Sequence, residues 1–238
     1  MSTPTPPAPP SVPPSGPPGT PRPPGPQITD RHPLALALFG LTMASGLIDA
    51  VSYLGLGHVF TANMTGNVVV IAFALAGAPG FSLAASVTSL GAFLIGGVLA
   101  GRFTVGRPSG RLRAALVLEV ALHGVAAAVA FAWNVEGPAR YAVITLGAVA
   151  MGIRNGTVRA LAVPDLTTTV LTLTLTGLAT DPRLAGGGAP RQRRRLLSVA
   201  TMLAGALPGA VLVLHGQLAW ALVAGAALAG LTALLYRE

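Results

Sequence analysis

Gly46-Leu47-Ile48-Asp49-Ala50-Val51-Ser52-Tyr53-Leu54-Gly55-Leu56-Gly57-His58-Val59-Phe60-Thr61-Ala62-Asn63-Met64-Thr65-Gly66-Asn67 lies between two strongly apolar runs, yet it holds an acid, a histidine, two asparagines and, past its first residue, three glycines. A lipid-facing helix is not built this way. A carboxylate at the centre of a bilayer costs roughly 3 kcal/mol or more unless it faces a protein interior or water, so the stretch marks a place where the chain turns polar groups inward.

The surrounding composition decides which solvent that interior is shielded from. The chain has 238 residues, 52% of them hydrophobic and 9% charged, with a mean hydropathy of +0.68; a soluble domain carries about a quarter charged residues. Beyond residue 34, apolar runs of about 20 residues recur to the C-terminus, each long enough to cross a hydrocarbon core as a helix. The fold class is therefore an all-α integral membrane protein with about six to eight spans. The alternation of a membrane β-barrel, in strands of about ten residues, is missing. A net charge of +8 would suit nucleic acid, but all the basic residues are arginines gathered at the ends of apolar runs, where they report topology. Without cysteine the chain has no disulfide, thiolate metal site or Cys nucleophile.

Residues 1–33 hold 14 of the 21 prolines and little that could pack, so a disordered tail is expected there. It lacks the charged start and apolar core of a signal peptide. The transmembrane domain then runs from 34 to 238. Its first run, 34 to about 56, places Thr42, Ser45, Asp49 and Ser52 or Tyr53 on one inward face, and Gly55, Gly57 and His58 break or bend it. The second run, 59–78, opens with Thr61, Asn63, Thr65, Gly66 and Asn67. The third, 81–101, ends in Gly97 and Gly101, four apart, which suit close helix packing. The fourth, 114–133, puts Glu119 and His123 one turn apart. A proton relay is one reading of that pair, and a partner arginine or the interface is the blander one, preferred here. The fifth, 140–163, is interrupted by Arg154, Asn155 and Arg159. Pro164 and Asp165 open a sixth, Thr-rich segment reaching Thr180, with Asp165 as its cap. Segments 196–214, kinked at Pro208, and 217–236 complete the chain.

A shift of 106 residues lays Gly46 on Gly152, Asp49 on Asn155 and Thr61 on Thr167, and a one-residue gap brings Thr65 onto Thr172. Two related halves, 34–133 and 140–236, are expected. Paired helix interruptions in the two halves of a membrane protein point to a transporter-type site between them. Taken together, Gly46-Leu47-Ile48-Asp49-Ala50, Phe60 to Asn67, Gly152-Ile153-Arg154-Asn155 and Val163 to Thr172 resemble the YoaK-like family of bacterial inner-membrane proteins. The resemblance covers about residues 34–236. Gly156-Thr157, where small alanines would be expected, and Leu173 and Leu175 depart from it. It implies a multi-pass protein of the bacterial inner membrane, described at most as a small permease component.

The basic loops 102–113 and 181–195 should both be cytoplasmic. Three segments lie between them, so either the rule fails at one loop, giving eight spans, or the Thr-rich segment does not cross. Matched halves favour eight. Asp49, Asn63, Thr65, Asn67, Arg154, Asn155, Asp165, Thr167, Thr168 and Thr172 are the candidate binding residues for a small solute or ion. A structural Asp49–Arg154 ion pair is the competing reading of the two charges. No catalytic residue, metal site or cofactor is expected: His58, His123 and His215 are scattered, and no nucleophile elbow, zinc motif or phosphate loop occurs. The expected partners are the lipid bilayer, an unknown solute or ion, and a second copy or another subunit. A non-transporting scaffold is the alternative function.

Overall fold

The computed structural model describes residues 32–104, 111–161, 171–179 and 190–236. The proline-rich tail to residue 31, Asp165, Thr167 and Thr168 lie outside them. Among the described residues all regular structure is helical: α1 (Pro33–Gly55), α2 (Met64–Leu75), α3 (Leu83–Thr104), α4 (Leu112–Ala132), α5 (Gly137–Leu161), α6 (Leu171–Ala179), α7 (Pro190–Leu214) and α8 (Leu218–Leu235). The ring of His32 accepts from the Leu34 N–H, and Pro33 takes a first-turn position where a missing N–H costs nothing. The helix ends at Gly55. Gly57 and His58 come next with φ of 90° and 59°, two successive left-handed residues that reverse the chain.

Helices α1, α3, α4, α7 and α8 are long and apolar enough to cross a membrane. Helix α5 is more polar because it carries Arg140, Arg154 and Arg159, but its 25 residues reach about 37 Å and it packs against both α3 and α4. Its length and packing suit a sixth crossing. Helix α2 has 12 residues, about 18 Å, and falls short of a core of roughly 30 Å.

Two apolar clusters fix the direction of each helix. One joins the start of α1 (Leu38), the start of α4 (Leu112, Leu116), the end of α5 (Val158) and the end of α8 (Ala233), with Leu197 of α7 against it. The other joins the ends of α1 (Val51) and α4 (Ala126) to the starts of α3 (Ala85), α5 (Val143, Ile144) and α8 (Ala221, Leu222). Hence α1, α4 and α7 run away from the face where α1 begins, here the first face, and α3, α5 and α8 run back to it. The end of α5 and the start of α7 therefore lie at the same, first face.

With α2 too short to cross, the described helices suit six crossings, the lower end of the six to eight expected. The same count removes the conflict between the two basic loops, since α3 ends and α7 begins at the first face.

Glycines set the closest approaches. A methyl on Gly46 would strike the Met202 carbonyl and one on Gly205 the Met43 carbonyl, so α1 and α7 cross backbone to backbone. Gly152 faces the Phe93 carbonyl and Gly96 the Val149 carbonyl in the same way, joining α5 to α3. The close packing expected around Gly97 is present, with the Gly97 backbone and Ala100 against Gly152 and Gly156 of α5, although a methyl on Gly97 or Gly101 would itself meet nothing. Pro208 lies inside α7 without ending it.

Candidate functional site

The polar stripe of α1 faces inward as its spacing requires: Thr42, Ser45, Asp49 and Ser52 are all buried. Its purpose is visible in the segment just past the helix. After the reversal at Gly57 and His58 the chain does not continue away but turns back along α1 as an unwound leg. Asp49 lies six residues before the end of α1, about 9 Å below it, and its Oδ1 accepts from the N–H of Ala62 at 3.0 Å and of Asn63 at 3.3 Å. The N–H of Thr61 donates to Ser52 Oγ at 3.3 Å, and that of Phe60 donates to Asn67 Oδ1 at 2.8 Å. Four consecutive backbone donors, with no secondary structure to receive them, are each taken by a side-chain oxygen. An unsatisfied amide at this depth would cost several kcal/mol, which is why irregular backbone survives in a membrane only when buried in protein or facing water.

Asn67 also closes the other side. Its amide donates to the Phe60 carbonyl at 2.6 Å, and Ser89 of α3 donates to the same oxygen at 2.6 Å. One asparagine thus reads both backbone groups of Phe60, much as a neighbouring strand would. From Asn63, whose side chain accepts from the Gly66 N–H, α2 climbs back out. His58 Nδ1 lies 3.0 Å from the Gly80 carbonyl, Tyr53 stacks on Phe60, and Phe81 packs against both His58 and Phe73. Leg and half-helix therefore form a re-entrant hairpin whose tip lies beside Asp49.

Arg154 supplies the second feature. It is wholly buried in α5, and its Nη1 donates to Glu119 Oε1 of α4 at 3.0 Å; Glu119 is 1% exposed. Its Nη2 donates to Ser45 Oγ of α1 and to Met151 Sδ of its own helix. Arg154 is thus the point where α1, α4 and α5 are tied together. The Asp49–Arg154 pair of the competing reading does not form. Glu119 takes the guanidinium instead, while Asp49 is occupied by backbone amides. Glu119 and His123, paired on one face as their spacing indicates, are both buried, and His123 Nδ1 sits 3.1 Å from the Glu119 carbonyl.

The candidate residues thus divide. Asp49, Asn67, Arg154 and Asn155 are buried, and Asp49 and Arg154 approach one centre through Ser45, one turn before Asp49. Asn63 and Thr65 are exposed at the hairpin tip, and Thr172 is exposed on α6. Asp165, Thr167 and Thr168 fall outside the described residues. Glu119 is the residue sequence reasoning undervalued. A signal existed: a buried arginine requires an acid, and Asp49 and Glu119 are the two acids within the described spans. Ser89, which carries no periodic or charge signal, could not have been found that way.

Residues 37–235 match a family model described as "Protein of unknown function (DUF1275)". The chain is also similar to the UPF0700 transmembrane protein YoaK of Bacillus subtilis (strain 168), at 34% identity over 146 residues. That alignment takes in 59% of this chain and spans 64% of the length of the relative. No solved structure matches the chain.

Proposed function

The chain belongs to the DUF1275 family and is a multi-pass membrane protein, and we propose that it transports a small polar solute or ion across the bacterial inner membrane through two inverted halves. The observation that carries this reading is the re-entrant hairpin, which brings the uncovered polar side chains of Asn63 and Thr65 to the depth of Asp49. Polar tips at that depth need protein or water around them, and broken helices of this kind mark substrate paths in transporters.

The packing supports the inverted repeat. Helix α1 lies on α7 and α8, and α5 lies on α3 and α4; α2 lies on α3, and α6 on α7; α4 and α8 pack on each other. Exchanging α1–α4 with α5–α8 leaves those pairings unchanged, while α1 and α5 run in opposite directions. Arg154 to Ser45 is a hydrogen bond between the halves. In this reading the Arg-rich first face is cytoplasmic, and a reporter active only outside the cytoplasm, fused after Arg107, stays silent.

A scaffold reading is favoured by one observation: Asp49 Oδ1, Ser52 Oγ and Asn67 Oδ1 are already engaged by the hairpin's own backbone. Water access separates the two. With no native cysteine to remove, single cysteines at Asn63, Thr65, Thr168 and Thr172 should react with a small membrane-impermeant thiol reagent from at least one side. If none of the four is labelled while buried control positions behave alike, the transport path does not exist and the scaffold reading stands.

A further inference from the structure

The buried centre holds an imbalance that the ion pair leaves open. Asp49 on α1 and Glu119 on α4 are two carboxylates; Arg154 on α5 is one guanidinium; His123 on α4 completes the titratable groups buried within the spans among the described residues. Two anions against one cation leave an excess negative charge in a region shielded from water, which is costly unless something positive joins it.

The hydrogen bonding shows where it would join. A backbone carbonyl only accepts, so the contact of His123 Nδ1 with the Glu119 carbonyl requires the proton on Nδ1, and Nε2 of the neutral ring is an acceptor. That Nε2 has no hydrogen-bond partner, and neither has Glu119 Oε2, although both are buried. These two unsatisfied acceptors belong to side chains one turn apart on a single helix face. A single added proton converts one of them into a donor and cancels the excess charge. Among the described residues no three His, Cys, Asp or Glu side chains gather as a group that could hold a metal ion.

We propose that Glu119, backed by His123 and held by Arg154, binds one exchangeable proton at the junction of the two halves. Resting on the transport reading, it makes the proton the coupling ion. With the proton on Glu119 the carboxyl is neutral and its hold on Arg154 weakens. When the proton leaves, the full ion pair re-forms and ties α4 to α5. The centre then has two states that differ by one proton, and it lies where α1, α4 and α5 meet.

Infrared spectroscopy of the full chain in phosphatidylethanolamine/phosphatidylglycerol vesicles tests this. At neutral pH the wild type should show the carbonyl stretch of a protonated carboxylic acid, and [13C]glutamate labelling should shift that band, identifying Glu without any substitution. Glu119→Gln should abolish the band and Asp49→Asn should leave it. His123→Leu should move its frequency. A wild type with no Glu band, or a band that Glu119→Gln leaves intact, overturns the proposal. So does a band erased at constant pH by sodium chloride but not by choline chloride, which would make the ligand a metal cation. A Glu119 band in a protein whose hairpin cysteines are never labelled would retain the proton site while removing the transport reading.

Discussion

Asp49 and Arg154 confront the same difficulty, a charge held inside a membrane, and meet it in opposite ways. The carboxylate of Asp49 is answered by backbone: two amides of an unwound leg point at one oxygen. The guanidinium of Arg154 is answered by side chains from two other helices. The first arrangement holds a break open, and the second ties three helices together. An acid can serve backbone N–H groups because it only accepts; an arginine only donates, and the donors freed by an unwound leg offer it nothing. The shift of 106 residues places Asp49 on Asn155 and Ile48 on Arg154, so in that register the two charges stand one position apart.

The sharpest way to break this contrast is at Glu119. Removing it by Glu119→Ala leaves Arg154 buried without its carboxyl partner and should cost about 3–5 kcal/mol where Glu119 is deprotonated, read as a large drop in the unfolding temperature of detergent-purified protein at alkaline pH. The double variant Glu119→Leu with Arg154→Met should recover most of that loss, because two apolar side chains of similar volume replace the pair. If the single variant is as stable as wild type, the pair does not tie the helices together.

A smaller effect tests what the halves share. Gly46→Ala and Gly152→Ala each push a methyl into a backbone carbonyl of the neighbouring helix, which cannot swing aside as a side chain would. Each should lose about 1–3 kcal/mol, and by similar amounts. Gly101→Ala meets open space and should be neutral or slightly stabilising. Unequal losses at Gly46 and Gly152 would break the equivalence of the two crossings.

At the hairpin, Asn67→Ala strips Phe60 of both partners that Asn67 supplies and should cost about 1–3 kcal/mol. Thr65→Ala, at an exposed position of the hairpin tip, should change stability by less than about 0.5 kcal/mol. Proteolysis within 56–63 reports the first change directly, since a loosened leg becomes cleavable. The smallest effect expected is from deleting residues 2–30, which should leave insertion and unfolding temperature unchanged, as that stretch offers almost no apolar surface to bury.

How far the sequence could be read is visible in particular residues. Thr42, Ser45, Asp49 and Ser52 are spaced by three and four, and all are buried as that spacing demands. The break after Gly55 was equally legible, because glycines and a histidine interrupt an apolar run. That the next run would come back out after 12 helical residues was not, since its composition alone resembles a full span. Nor was the destination of the Asp49 oxygen, which bonds amides 13 and 14 residues away across a reversal.

The sequence alone determined the solvent and the local geometry: apolar runs fix helices in lipid, and polar residues at helical spacing fix which face turns inward, because hydration energy and helix period act on neighbouring residues. The tertiary structure decided the partners. Glu119 meets Arg154 across 35 residues and Ser45 meets it across 109, and those meetings depend on the direction, rotation and depth of three separate helices. Glycine contacts between backbones set these quantities, and with them which acid reaches the guanidinium and which is left to hold the break.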